Sequence, residues 1–190
     1  GGTLDVSNDS TNVDVTFQGD VTIGASVTWT KGTGAITISG GNTQSVDFAG
    51  ETIEDLTVNK SSGTVNFTEA FTADAFTGTS GHIVFYPSKT FTTAGNLTLS
   101  SGCTSNPNET SLDVNGDFSA DGQDWSTVVD TWYLDVAGAS TMANCDVTNC
   151  DSTAGSDTTA GRRSANLGGN SGVIFQNPNI PTAQMLCNVG

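Results

Sequence analysis

Positive charge is the scarcest property of this chain. It has 5 Lys+Arg and 1 His against 20 Asp+Glu in 190 residues, a formal net charge of −15. So few cations cannot line a phosphate backbone, which excludes nucleic-acid binding, and they give no basis for association with an anionic membrane surface. The acids are spread along the chain and form no tail, the pattern of a solvated exterior or of a surface that recruits divalent cations. Long apolar runs are also missing. The longest obvious one is IVFY at 83–86, far below the roughly 18 residues of a membrane span. Hydrophobic residues are 35% and aromatics 7% of the chain, a thin supply of core. No stretch keeps a helical period, and no Gly-x-Ser-x-Gly elbow, phosphate loop or HExxH motif appears. The chain starts at Gly1 without Met, so it reads as a processed chain or an excerpt.

What is abundant is Gly (23), Ser plus Thr (50) and Asn (16). The apolar residues are not scattered singly. They alternate with polar ones in short groups: VDVTF (13–17), AITIS (35–39), DLTV (55–58), TVNF (64–67), NLTLS (96–100), SLDV (111–114) and WYLDV (132–136). A period of two places alternate side chains on opposite faces of a strand, and outward Thr suits a pleated surface. Turns rich in Gly, Asn, Asp and Ser separate the groups (KGTG, SGGN, SSG, TSG), which predicts an all-β chain.

Spacing narrows the architecture. Segments beginning at Ile53, Phe71 and Phe91 each carry a second apolar group (Leu56, Phe76, Leu97) and a Gly turn (Gly63, Gly81, Gly102), and Phe118 begins another copy. A degenerate repeat near 20 residues, built of short strands and Gly turns, predicts a right-handed parallel β-helix of about eight coils. The narrow column inside such a rod accounts for the low apolar fraction. The alternative is a β-sandwich, which also spaces strands at 8–12 residues. The expected organisation is one β-solenoid domain over 1–175 and an irregular tail or contact segment over 176–190.

In the last third, MANCDVTNCDSTAG (142–155) is followed by a Gly/Ser/Asp-rich excursion and NLGGNSGVIF (166–175). This pattern resembles β-helical surface proteins found in phage tail fibres and in bacterial or archaeal surface and adhesion proteins. The resemblance implies the solenoid fold and a setting outside the cytosol, at a cell surface or on a virion. It implies no catalytic residue.

DVNGDFSADGQD (113–124) places Asp113, Asn115, Asp117, Ser119, Asp121 and Asp124 at positions 1, 3, 5, 7, 9 and 12 of a calcium-type loop. Phe118 stands where the sharp turn of such a loop needs Gly, and Asp124 is shorter than the usual Glu. The competing reading makes Asn115-Gly116 a turn between two strands, with Leu112, Val114 and Phe118 inward. No cofactor is expected on that reading, with calcium the one candidate. Cysteines lie at 103, 145, 150 and 187, an even count that fits an oxidising, extracellular setting, with three possible pairings. The other reading is unoxidised thiols inside the core. CDVTNC is not CxxC, and only His82 could complete a Cys-rich zinc site, which argues against zinc.

A polysaccharide lyase would need clustered acids and a basic residue to take the proton. Only Lys31, Lys60, Lys89, His82, Arg162 and Arg163 are available, and the arginine pair sits in a Gly/Ser/Asp-rich loop. Trp29, Trp125, Trp132 and Tyr133 are candidate sugar-stacking aromatics, but the alternation of WYLDV turns Trp132 inward and Tyr133 outward. Sequons at Asn8, Asn59, Asn66, Asn96 and Asn108 are no more than this composition yields by chance; Asn59 and Asn108 are the glycosylation candidates because they fall in turn-like stretches. The functional expectation is a non-enzymatic extracellular structural or adhesive protein, a segment of a surface fibre, filament or phage tail appendage. Its expected partners are further copies, as a homo-oligomer or head-to-tail polymer seeded by a detached N-terminal strand, and surface glycans. The alternative is a carbohydrate-binding or polysaccharide-cleaving β-helix.

Overall fold

A computed structural model describes residues 2–5 (as backbone), 13–24, 26–161 and 163–176. Every described strand pairing is parallel, and the strands stack into a β-solenoid of about seven turns with about 21 residues per turn. The nine stacked strands of face one, about 4.8 Å apart, make a rod on the order of 38 Å long.

Each turn visits three faces. The fourth is typical: Phe76–Phe85 supplies face one (76–78) and face two (82–85), Thr90–Thr93 supplies face three, and Leu97 re-enters face one one rung on. Face one carries two inward columns. The first runs Val15, Ile36, Leu56, Phe76, Leu97, Phe118, Ser140, Thr158, Val173. The second runs Phe17, Ile38, Val58, Gly78, Leu99, Ala120, Met142, Ala160, Phe175. Between them a single outward column is Thr at every rung from Thr16 to Thr159 except Ser119, and Ile174 ends it.

The core is one continuous stack, with its phenylalanines clustered on neighbouring rungs. Phe67 lies 5.1 Å from Phe71, 5.8 Å from Phe76 and 5.8 Å from Phe85. Phe71 and Phe91, on successive rungs of face three, meet at 5.3 Å. Towards the C-terminal end the first column becomes polar: Ser140 and Thr158 are buried and share a 2.7 Å hydrogen bond between their hydroxyls. Every buried side-chain nitrogen or oxygen among the described residues has a hydrogen-bond partner, as burial demands.

The repeat needs two corrections of frame. Ile53 pairs with Ala73, not Phe71, and Phe91 pairs with Leu112, so Phe118 does not begin the copy that follows Phe91. Phe118 belongs instead to the column of Phe76 and Leu97, whose steps are close to even. The N-terminal strand is not detached: Gly2–Asp5 pairs in parallel with Val27–Thr30 of its own chain.

Candidate functional surface

The acidic segment 113–124 winds around the rod rather than closing a loop. Asp113 lies on face three in Ser111–Val114, in register with Asp135. Asn115 and Gly116 make the corner to face one. The corner is tight: a Cβ on Gly116 would sit 2.5 Å from Asn96 Oδ1, so Gly is required for close approach, without a left-handed φ. Asn115 Nδ2 donates to the Thr93 carbonyl at 3.2 Å. Asp117 Oδ1 accepts from the Ala139 N–H at 2.8 Å, as Asn96 Oδ1 one rung earlier accepts from the Asp117 N–H at 2.9 Å. These Asx side chains tie each corner to the next. Ser119 takes its place in the hydroxyl column. Asp121 ends face one and accepts from Asn144 Nδ2 at 2.6 Å. Asp124 begins face two, where the Ser126 hydroxyl and N–H hold its carboxyl below the usual range. Leu112, Val114 and Phe118 are buried, as the strand reading requires. Among the described residues no three His, Cys, Asp or Glu side chains converge as a metal-holding group.

Of the two readings of the cysteines, the structure places the described ones as buried thiols. Cys103, Cys145 and Cys150 are free and buried, not paired with one another; Cys187 lies outside the described residues. Cys103 and Cys145 occupy an inward column at the start of face two: Lys60, Gly81, Cys103, Gln123, Cys145. Gln123 separates the two thiols, donating to the Cys103 carbonyl at 3.1 Å and accepting from Ser105 Oγ at 3.0 Å. Cys150 stacks beside Trp132 on face three. Burial pushes all three thiols up from their ordinary pKa.

Lys60 and Gln44 are polar core residues that sequence reasoning did not place inside. Lys60 is 1% exposed, and its Nζ donates to the Asn42 carbonyl at 2.8 Å and to Gln44 Oε1. Gln44 Nε2 passes the chain on to the Gly19 carbonyl at 2.8 Å. Burial lowers the Lys60 pKa. The available signal was its step to Gly81, whose absent side chain makes room: a Cβ there would lie 2.7 Å from Lys60 Cβ. Glu54 is a third such residue, buried and accepting from the Trp29 indole N–H at 3.0 Å.

The other cations are dispersed. Lys31 pairs with Asp74 at 2.6 Å and Lys89 with Glu69 at 2.7 Å. His82 Nδ1 meets Thr104 Oγ1 at 2.7 Å, Arg163 is exposed, and Arg162 lies outside the described residues. Trp29, Trp125 and Trp132 are all buried, with Trp125 and Trp132 in contact at 4.9 Å, whereas Tyr133 is 50% exposed. Asn59 lies within the strand Asp55–Phe67, not in a turn, and its Oδ1 accepts from Ser80 Oγ. Asn108 is at a turn, but its Oδ1 is engaged by the N–H groups of Val129 and Asp130 at 3.1 and 3.0 Å. Asn8 lies outside the described residues.

Comparison of the chain with protein families, with curated proteins and with solved structures finds no match. No described helix is long and apolar enough to cross a membrane.

Proposed function

We propose that the chain is a non-enzymatic extracellular rod, a structural or adhesive segment of a surface fibre, filament or phage tail appendage. The observation that carries the reading is how the side chains are used. The columns face inward to build the rod, and the outward file is almost pure hydroxyl from Thr16 to Thr159. The acids of 113–124 are spent on corners and turns. The described cations are each buried, ion-paired or isolated on the surface. A lyase instead gathers acids and a base at one place. A parallel ladder repeated over the rod resists extension because each rung is bonded to the rungs above and below. The strongly negative, hydroxyl-rich exterior suits a soluble appendage whose partners are neutral surface glycans.

The test is a panel of neutral and acidic polysaccharides assayed for new reducing ends and for unsaturated uronides, with a glycan array alongside. Array binding without turnover, or neither, is expected. Turnover that Arg163→Ala abolishes would overturn the reading in favour of a cleaving β-helix.

A further inference from the structure

The described ends of the rod leave matching rungs open. Among the described residues, Val15–Phe17 pairs only with Ala35–Gly40, and Val173–Phe175 pairs only with Thr158–Ala160. Both strands belong to the same two inward columns, Val15 and Val173 in the first and Phe17 and Phe175 in the second. Every member between them is buried, from Ile36 to Thr158 and from Ile38 to Ala160, whereas these four are only half-buried. Each end therefore presents the same pair of apolar side chains, Val-x-Phe, to the next rung.

The backbone shows the same continuity. In parallel pairing, alternate residues bond to alternate neighbours. The inward residues of the first column donate forward along the rod: Leu56 to the Ala75 carbonyl at 2.9 Å, Leu97 to Asp117 at 2.9 Å, Phe118 to Ala139 at 2.8 Å, Thr158 to Gly172 at 3.1 Å. Gln176 donates backward to Ala160 at 3.0 Å. The N–H groups of Val173 and Phe175 consequently face the open edge.

We infer that copies of this chain stack end to end, with Val173–Phe175 of one copy pairing in parallel with Val15–Phe17 of the next. This rests on reading the rod as a structural segment, and it names the partner: a second copy, bound through strand addition. Val173 covers Val15 and Phe175 covers Phe17, a phenylalanine step the molecule already makes between Phe71 and Phe91. The Val173 N–H donates to the Asp14 carbonyl of the second copy and the Phe175 N–H to its Thr16 carbonyl, repeating the internal register. Such an interface is heterologous and does not close, so it builds filaments rather than rings.

Val173→Pro is the discriminating variant. It removes a donor that the chain does not use internally, so an edge strand tolerates it while losing the stacking contact. Sedimentation velocity over a concentration series, with electron microscopy of the same samples, reads the outcome. The full chain is expected to form rods in multiples of one length, and Val173→Pro to weaken association by about tenfold or more, with unchanged circular dichroism and with unchanged melting at dilutions where both chains are monomeric. A wild-type chain that stays monomeric, or a Val173→Pro chain that associates like the wild type, overturns the inference. So does association seen only in a chain ending at Gln176, because the edge is then covered by the chain's own last segment. Failure here leaves the structural reading standing, since polysaccharide turnover decides that separately.

Discussion

Phe67→Ala is the most demanding test of the core. Phe67 is completely buried and touches Phe71, Phe76 and Phe85 within 5.8 Å, with Phe91 at 6.5 Å. Truncating a buried Phe costs about 3–5 kcal/mol through lost transfer energy and the cavity left behind. The stacked column has little freedom to collapse, because each rung is fixed in register by backbone bonds on both sides, so the upper half of that range applies. For a chain of 150–250 residues each kcal/mol moves the melting temperature by about 2–4 °C, which gives a fall on the order of 8–20 °C. Differential scanning calorimetry measures it, with Tyr133→Ala as control, since the half-exposed Tyr133 ring contributes little to the stack. Hydrogen exchange locates it: amides of Asp55–Phe67 and Phe76–Phe85 lose protection first, because rungs couple mainly to their neighbours. A fall no larger than that of Tyr133→Ala would refute the continuous-column account.

Four further outcomes follow from named contacts. Gly81→Ala destabilises by about 1–3 kcal/mol, because Gly81 has a φ of +94° and faces Lys60 Cβ; chemical denaturation checks it. Lys60 has a lowered pKa in the folded chain, so its own contribution to stability rises with pH between that pKa and the ordinary value near 10.4, whereas the raised thiols of Cys103, Cys145 and Cys150 make stability fall over the same range; urea titrations at pH 8 to 10.5 are expected to show a more negative slope for Lys60→Met than for the wild type, and equal slopes would refute the assignment. Cys103, Cys145 and Cys150 stay unreactive towards an aromatic disulfide reagent at pH 8 in the folded chain and react in denaturant, because burial raises their pKa and denies access; rapid labelling of all three in buffer would contradict their placement. Calcium followed by chelator leaves the melting temperature unchanged, since Asp117, Asp121 and Asp124 hold separate partners around the rod; a chelator-induced fall would restore the metal reading.

The fold was legible because alternation and repeat length are both physical constraints on a solenoid. Leu56, Phe76 and Leu97 carry the equivalence because inward positions of this column are apolar through its middle; it turns polar only at Ser140 and Thr158, whose hydroxyls satisfy each other. The frame slipped where composition stopped distinguishing columns. Phe71 and Phe118 are both buried phenylalanines, but one belongs to face three and the other to face one, and only backbone register tells them apart. The calcium-like spacing arose in the same way. Corners of the rod favour Asp, Asn and Gly because side-chain oxygens accept the backbone N–H of the next rung, and a one-dimensional reading sees those corners as a ligand set. Lys60, Gln44 and Gln123 were opaque: their burial depends on partners 16 to 27 residues away that no local pattern displays.

The division between inward and outward positions also explains why the surface speaks less clearly than the core. Inward residues answer to their neighbours on the rungs above and below, so their identity is over-determined. Outward residues answer only to solvent and to whatever binds, and on face one they settle on Thr, which satisfies the pleat and water together. Against that uniform file the exception carries information. Ile174 interrupts it with an apolar side chain 49% exposed, on the C-terminal rung whose further edge is unpaired among the described residues. A hydrophobic residue left outward beside an open edge is what strand-edge protection normally removes. Its presence there, with the half-buried Val173 and Phe175, is a second observation in favour of the strand addition inferred above.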